Sequence, residues 1–405
     1  MMERTSVKAS EGVTAPHGFF AGAVAAGIRG DGNERPDLAL LYSERPCAAA
    51  ALFTANVLKS APVKLSQRNV ASGRIRAVVA NSGCANAYTG EQGMRDAEEM
   101  ARLAAEKLGI GEADVVVAST GVTGRPLPME KIRAALPSVA VSRTAGGAFA
   151  RAIMTTDRVP KQASTSFTVG GVEYRIGGCA KGAGMIHPNL ATMFAFLTTD
   201  AAAGHAFLGR ALKQAADLSF NMLTVDGDTS PSDMLLIMAN GAAGGPPIEE
   251  SSEGRLLFED ALNSVCVALA KAMARDAEGA TKLIEVEVVG ALTEFDARVA
   301  ARAVAGSALV KSAVYGNDPN WGRVLAAVGR SGAAADESRM SLFWQEERLF
   351  DRGAPRPFDK KALARATDRP EVRIRVDLGA GKAAATAWGC DLTEEYVRIN
   401  AEYTT

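Results

Sequence analysis

A threonine stands where a glycine-rich stretch of the chain meets an apolar one. Residues 181–200 read KGAGMIHPNLATMFAFLTTD, so Thr192 follows a polar segment and begins an apolar run. A threonine hydroxyl is a weak nucleophile until a base removes its proton. A threonine that becomes the first residue of a chain carries such a base, because its α-amine has a pKa of about 7.7–8.0. The pair Ala191–Thr192 therefore fits a self-cleavage site, and the alternative is an ordinary β-branched residue at the start of a strand.

Histidine, cysteine and metal chemistry have weaker support in the sequence. His187 precedes Pro188, which restricts it to extended backbone, and no GxSxG elbow is present for a hydrolase triad. The five cysteines are scattered without CxxC spacing, and no HExxH pair occurs. We therefore expect reduced thiols and no metal site.

Three further motifs resemble ligand-binding loops only in part. The stretch GAGK at 379–382 lacks the Ser/Thr of a phosphate-binding P-loop, and a hairpin turn is the preferred interpretation. The glycines of 177–184 follow a strand but precede no helix, which argues against a dinucleotide site. Asp226 and Asp228 could hold magnesium or a phosphoryl group, but a loop capped by its own Asp and Ser side chains is favoured.

The overall composition excludes several classes of partner. Lys and Arg number 45 against 46 Asp and Glu, and aromatic residues make up 6 %, so neither a basic field nor stacking platforms for nucleic acid are expected. The apolar run at 19–28 is too short to span a membrane, and no clean basic leader precedes it. We expect a cytoplasmic protein with no membrane partner.

Short elements between glycines predict the architecture that would position Thr192. Apolar segments predict strands at 37–42, 76–81, 115–119, 172–176, 192–197, 234–238 and 283–289. Apolar periodicity predicts helices at 94–108, 205–223, 253–275, 307–315, 323–328 and 392–403. A hairpin is predicted for 372–378 with 383–388. Because strands and helices do not alternate strictly, we expect an α/β fold of the layered α+β sandwich type, with much antiparallel sheet.

Eight motifs are distributed along most of the chain. They are AVVANSGCANAYTG (77–90), VASTGVTGRPLP (117–128), AIMTTD (152–157), KGAGMIHPNLATM (181–193), VDGDTSPSD (225–233), ARDAEGATK (274–282), YGNDPNWGRVLAAVGRSG (315–332) and WGCDLTEEYVRINAEYTT (388–405). With these motifs the chain resembles the ornithine acetyltransferase family of glutamate N-acetyltransferases over residues 13–405. The resemblance implies a self-processing fold with an N-terminal threonine nucleophile. It also implies cleavage into an α chain, residues 1–191, and a β chain, residues 192–405, that form one catalytic unit within a heterotetramer of two α and two β chains.

The same resemblance implies a reaction and the residues that carry it. Thr192 would take the acetyl group from N2-acetyl-L-ornithine and pass it to L-glutamate, with the oxyanion stabilised by Thr120 and Gly121. The implied substrate contacts are Thr155, Lys181, Thr192, Glu278, Asn400 and Thr405. No cofactor is expected, although some members of the family also use acetyl-CoA as a co-substrate.

The sequence departs from the family pattern at a few positions. Pro231–Ser232 replaces the more common Thr-Asn, Arg158–Val159 replaces Thr-Phe, and Thr123 replaces an isoleucine. These changes leave the nucleophile intact but bear on substrate choice. Besides acetyl transfer in arginine biosynthesis, three alternatives stay open here: a paralogue acting on another N-acyl amino acid, a self-cleaved amidohydrolase or aminopeptidase, and an uncleaved ligand-binding relative.

Overall fold

The computed structural model describes residues 6–9, 11–30, 32, 34–187 and 193–402. The strands are β1 (Phe19–Val24), β2 (Leu38–Phe53), β3 (Arg74–Asn81), β4 (Val115–Ser119), β5 (Lys161–Val169), β6 (Val172–Lys181), β7 (Phe194–Thr199), β8 (Met234–Ala239), β9 (Leu283–Ala291), β10 (Ser341–Trp344), β11 (Glu347–Asp351), β12 (Ala354–Pro355), β13 (Glu371–Asp377) and β14 (Ala383–Cys390). The α-helices are α1 (Ala61–Val70), α2 (Gly90–Leu108), α3 (Met129–Ala135), α4 (Gly146–Ala152), α5 (His205–Leu218), α6 (Arg255–Arg275), α7 (Glu294–Ala305), α8 (Ala308–Tyr315), α9 (Trp321–Gly329), α10 (Lys360–Thr367) and α11 (Glu394–Glu402). Short 3-10 helices cover Glu112–Asp114, Leu136–Ser138 and Phe220–Met222.

The larger sheet is built around the long strand β2. Its order is β4-β3-β2-β8-β7-β6-β5, and β1 pairs with the first part of β2. The pairs β3–β4 and β7–β8 are parallel, and the remaining pairs are antiparallel. Strand β6 runs antiparallel beside β7, with Lys181 opposite Phe194. The end of β6 therefore lies across from the start of β7, on either side of the segment that contains Thr192.

The smaller sheet has the order β12-β11-β10-β13-β9-β14. Strand β9 pairs in parallel with β13 and antiparallel with β14, so the predicted hairpin between 372–378 and 383–388 is wrong. The turn at 379–382 instead caps β9, because the backbone N–H groups of Ala380 and Gly381 both donate to Gly290 O, at 2.7 and 2.8 Å. Alternate residues of β9, such as Val286 and Val288, are fully buried, so one face of this strand packs on the core.

Helices cover both faces of the larger sheet. Helix α6 lies between the two sheets, since it contacts β5 and β6 on one side and β9 and β14 on the other. Helix α5 packs beside α6 on the same face, and α4 packs against the opposite face through Phe149 and Ala152. Helix α7 packs on β9 and β14 of the smaller sheet. The expected layered α+β architecture is confirmed.

Most predicted elements are found with shifted ends. The strand predicted at 172–176 continues through the glycines to Lys181, and the helix predicted at 205–223 ends at Leu218. All five cysteines lie in the described ranges, are buried and form no disulfide bond. In those same ranges, no helix combines the length and the apolarity that a membrane crossing requires.

Candidate active site

One cavity, of about 90 Å³, collects the residues that the motifs singled out. Its lining includes Thr120, Gly121, Thr155, Lys181, Glu278 and Asn400, together with Ala85, Thr123, Thr156, Gly184, Met185, Ser230, Pro231 and Ser232. The first six are all the predicted catalytic and substrate-contact positions that the structure describes. Ala191, Thr192 and Thr405 lie outside the described residues.

The side chains of Lys181 and Thr120 are hydrogen-bonded to each other at the wall of this cavity. Lys181 is the last residue of β6, is buried, and donates from Nζ to Thr120 Oγ1 over 3.0 Å. Burial lowers the pKa of Lys181, against the opposing effect of Asp157 and other nearby carboxylates. An ammonium can only donate, so Thr120 Oγ1 is the acceptor in this bond and its own proton is left for another partner. A hydroxyl held in this way can donate to a developing oxyanion.

Gly121 is held in a conformation that favours glycine. Its φ of 125° is in the left-handed half of backbone space, and a Cβ at this position would overlap the carbonyl carbon of Gly83. The residues on either side of Gly121 are hydrogen-bonded to the backbone of residues 81–83. Thr120 N–H donates to Asn81 O at 3.1 Å, and Val122 N–H donates to Gly83 O at 3.4 Å. Among the described residues, nothing accepts from the Gly121 N–H. The loop thus presents two donors side by side, as an oxyanion site requires.

A buried ion network supports the loops on either side of the cavity. Lys161 Nζ lies 2.6 Å from Asp157 Oδ1 and 2.7 Å from Asp276 Oδ2. Asp157 also accepts from Thr155 N at 3.0 Å and from Gly182 N at 2.8 Å. Burial alone would raise the pKa of Asp157, but the ammonium groups of Lys161 and then Lys181 hold it at about 2. The resulting carboxylate fixes the Thr155 and Gly182 backbones.

Glu278 and Asn400 form the acidic side of the cavity. Asn400, on α11, donates from Nδ2 to Glu278 Oε2 at 2.8 Å, which brings the last helix to the site. Glu278 N–H donates to Ala183 O at 2.9 Å, and a Cβ at Gly184 would overlap the Glu278 carboxylate. With Lys181 on the same cavity, the site offers one cation and one anion, which suits a ligand that carries both charges.

Asp226 holds the segment that precedes residues 188–192. Its carboxylate accepts from Met185 N at 2.6 Å, from Ile186 N at 2.9 Å and from Tyr396 Oη at 3.2 Å. Burial and the nearby Asp226 carboxylate raise the pKa of Tyr396. In the described ranges, no group of three His, Cys, Asp or Glu side chains could hold a metal ion. Within the stretch VDGDTSPSD, Asp228 N donates back to Asp226 Oδ1 at 3.3 Å, so Asp226 also caps its own loop.

His187 takes no part in this cavity. Its Nδ1 lies 3.3 Å from Thr224 Oγ1, and burial, together with Arg302, lowers its pKa, which favours the neutral ring. Two of the departures from the family pattern do line the cavity, namely Thr123 and the pair Pro231–Ser232. The third, Arg158, bonds instead to Asp276, through Nε at 3.1 Å.

Sequence reasoning missed Asp157, Lys161 and Asp276 as supports of the site. Asp157 was inside the motif AIMTTD, and Lys161 follows it by four residues. Asp276 was inside the motif ARDAEGATK, but nothing local showed that it pairs with Lys161, which lies 115 residues earlier in the chain.

Comparison with known proteins decides which family this site represents. The model of the ArgJ family matches residues 20–405. The chain belongs to the ArgJ family. A relative from Symbiobacterium thermophilum, named arginine biosynthesis bifunctional protein ArgJ, is 56 % identical over 396 residues, which are 97 % of this chain and 98 % of the relative. A relative of the same name from Thermus thermophilus is 51 % identical over 394 residues, which are 97 % of this chain and 100 % of the relative.

Solved structures of the same family resemble the chain in part. ArgJ from Bacillus halodurans is 42 % identical, with a TM-score of 0.51, over 51 % of this chain and 98 % of the solved chain. The ornithine acetyltransferase from Mycobacterium tuberculosis, solved with ornithine, is 40 % identical, with a TM-score of 0.43, over 46 % of this chain and 99 % of that chain. Family membership confirms the resemblance drawn from the motifs. It also shows that the protein is an acyltransferase of arginine biosynthesis.

Proposed function

We propose that this protein transfers the acetyl group of N2-acetyl-L-ornithine to L-glutamate through an acetyl ester on Thr192. Family membership supports the reaction. The observation that carries the assignment of residues is the single cavity where the Thr120–Gly121 donors lie beside Lys181 and Glu278. Those groups fit the transfer of an acyl group between amino acids, because the reaction needs both an oxyanion site and charges for two zwitterionic ligands.

The nucleophile is made by cleavage of the chain before Thr192. Thr192 Oγ attacks the carbonyl carbon of Ala191, the peptide nitrogen leaves as the α-amine of Thr192, and water hydrolyses the ester formed. The α chain, residues 1–191, and the β chain, residues 192–405, result. The match of 98 % of the Bacillus halodurans chain to only 51 % of this chain agrees with a cut near the middle.

Acetyl transfer then proceeds in two half-reactions on the same threonine. Thr192 Oγ attacks the acetyl carbonyl carbon, and its proton passes to the α-amine of Thr192. The oxyanion receives hydrogen bonds from the Thr120 hydroxyl and the Gly121 N–H, and its collapse expels the amine of ornithine, which takes the proton. In the second half-reaction the amine of glutamate attacks the ester, and Thr192 regains its hydroxyl.

The remaining cavity residues bind the amino acid parts of the substrates. Lys181 and Thr155 suit the carboxylate that both substrates carry, and Glu278, oriented by Asn400, suits the side-chain ammonium of ornithine. Thr405 is proposed as a further contact at the end of the chain. No resident cofactor is needed, acetyl-CoA is a candidate second donor, and the catalytic unit is proposed to assemble as two α and two β chains in the cytoplasm.

The test is ornithine release with and without glutamate. Purified protein is incubated with N2-acetyl-L-ornithine, and ornithine and N-acetylglutamate are measured by mass spectrometry. We expect ornithine release to depend on glutamate. Equal release without glutamate would assign the protein to the self-cleaved amidohydrolases instead. A second assay, thiol release from acetyl-CoA plus glutamate, decides whether acetyl-CoA is a donor, and intact mass shows whether the chain is cut.

A further inference from the structure

A second cavity, of about 1020 Å³, lies beside the smaller sheet. It is lined by the turn between β10 and β11, by α10 and the residues just before it, and by the segment that leads from α10 into β13. None of its described lining residues belongs to the active-site cavity. Its volume is at the upper end of the range of roughly 300–1,000 Å³ that is usual for small-molecule sites. The proposed reaction leaves this cavity without a role.

The wall formed by the β10–β11 turn is held in place by Gln345. Its φ of 53° is in the left-handed region, a turn conformation that Gly, Asn or Asp usually adopts. The side chain donates from Nε2 to Ala366 O at 3.1 Å and to Glu371 O at 3.2 Å. Its Oε1 accepts from Arg373 N–H at 3.2 Å. These bonds join the turn to the end of α10 and to the start of β13, so the cavity is a preformed part of the fold.

Part of the charge on the cavity wall is already paired within the protein. Glu371 accepts from Arg275 Nη2 at 2.7 Å and lies 3.4 Å from Arg373 Nη2. Asp359 accepts from two backbone N–H groups at the start of α10, at 2.9 and 3.0 Å. Glu371, Arg373 and Asp359 are therefore engaged in the fold and are not the residues that would bind a ligand.

Two carboxylates and one guanidinium on the same cavity have no partner. In the described ranges, the side chains of Glu346, Glu347 and Arg369 form no hydrogen bond and no ion pair, either with one another or with other residues. All three are exposed, and Phe358 and Leu363 add apolar surface to the same cavity. Opposite charges that line one cavity without meeting each other can be bridged by a ligand that carries both charges.

We propose that this cavity binds a basic α-amino acid, at a site separate from the active-site cavity. The planar fork of Arg369 suits the α-carboxylate, because a guanidinium can pair with a carboxylate through two parallel hydrogen bonds. Glu346 and Glu347 bind the α-ammonium and the side-chain cation, and the methylene groups between these charges lie against Phe358. Two carboxylates and one guanidinium match a ligand with two cationic groups and one carboxylate, whereas a neutral amino acid would leave one glutamate unpaired.

The first test removes one charged group of the ligand at a time. L-lysine is titrated into the purified protein in a calorimeter and compared with norleucine, cadaverine and 6-aminohexanoate. These analogues lack the side-chain ammonium, the carboxylate and the α-ammonium, respectively. We expect L-lysine to bind with a Kd below about 1 mM, and each analogue to bind about 10-fold more weakly because it loses one charge-assisted interaction.

The second test removes the matching groups of the protein. Glu346→Gln combined with Glu347→Gln should weaken L-lysine binding about 10-fold or more, and Arg369→Gln should weaken it about 10-fold. Arg369→Gln should leave cadaverine binding unchanged, because the variant and this analogue lack the two halves of one interaction. Glu253→Gln is the matched control, since Glu253 is an exposed glutamate that does not line the cavity. None of these changes removes a bond within the described structure, so the unfolding temperature should stay the same.

A variant of the active site separates the two cavities. Glu278→Gln should bind L-lysine as the wild type does, because Glu278 lines only the active-site cavity. Absence of saturable L-lysine binding, or binding that is lost in Glu278→Gln but kept when Glu346 and Glu347 are replaced, would overturn the inference. The titration involves no turnover, so a protein that binds L-lysine at this site but releases no ornithine would refute the transferase proposal alone.

Discussion

Replacing Thr120 with valine tests the oxyanion site most directly. Valine keeps the branched shape of threonine and removes the hydroxyl that Lys181 Nζ approaches to 3.0 Å. The oxyanion would keep the Gly121 N–H and lose its second donor. Removal of one such donor costs about 2.7–4 kcal/mol of transition-state stabilisation, a factor of 10²–10³ in kcat. We expect a loss of this size with little change in KM, since the bond to the oxyanion forms mainly in the transition state.

The same change has a smaller effect on folding. Lys181 Nζ is buried and would lose an acceptor, which costs about 1–3 kcal/mol. In a chain of 405 residues the entropy of unfolding is large, so the melting temperature should fall by only a few degrees. A catalytic loss of 10²–10³ in a protein that is still folded at the assay temperature would therefore reflect the site and not its collapse.

The assay separates chain cleavage from acetyl transfer. Intact mass gives the cleaved fraction of Thr120→Val, and kcat for ornithine release is normalised to that fraction. Thr120→Ser, which keeps the hydroxyl, serves as the control and should stay within about 10-fold of the wild type. If Thr120→Val retained kcat within about threefold, Thr120 would not be an oxyanion donor, and the bond from Lys181 would be structural.

Substitutions at three other residues probe the nucleophile and its supports. Thr192→Ala should abolish cleavage and transfer, and Thr192→Ser should keep part of each; intact mass and ornithine release check both, and activity in Thr192→Ala would refute the nucleophile. In the wild type the carboxylate of Asp226 accepts hydrogen bonds from the N–H groups of Met185 and Ile186 at 2.6 and 2.9 Å, whereas Asp226→Asn offers them a single carbonyl oxygen. Chain cleavage, followed in a time course, should therefore slow about 10-fold or more. An unchanged rate would show that Asp226 does not position the segment for cleavage. Because the pKa of Asp157 is lowered from 3.8 to about 2, its carboxylate stabilises the fold above pH 4, and this contribution is lost as the pH falls towards 2. Asp157→Asn should lower the free energy of unfolding by about 3–5 kcal/mol at pH 7, because it leaves Lys161 without one of its two carboxylates. The free energy of unfolding, measured with urea, should then depend less on pH below pH 4 than in the wild type, and an unaltered pH dependence would contradict this.

The sequence was most informative where local pattern and motif agreed. The helix predicted at 94–108 lies inside α2, and the strand predicted at 115–119 is β4. The motifs located six residues that the fold brings to one cavity, although they come from parts of the chain as distant as Thr120 and Asn400.

The prediction was poorest where glycine has a packing role. Gly177 and Gly178 fall beyond the strand predicted at 172–176 but belong to β6. A Cβ at Gly177 would overlap Gly12 O, and one at Gly178 would press on the Leu197 side chain, so glycine allows close packing here. The hairpin error at 372–388 has a related cause, because nothing local in sequence reveals that β9 lies between two strands that follow each other along the chain.

The position of β6 next to β7 has a consequence for the cleaved protein. A cut before Thr192 leaves β6 in one product and β7 in the other, yet these strands pair over six residues, from Ile176 with Thr199 to Lys181 with Phe194. Strands β2 and β8 are likewise divided between the products and pair over six more. Dissociation would expose the backbone of two central ladders to water, so the halves should stay together on extreme dilution. Each half made on its own would lack the neighbours that complete its strands, which means that the uncut chain is the form that must fold.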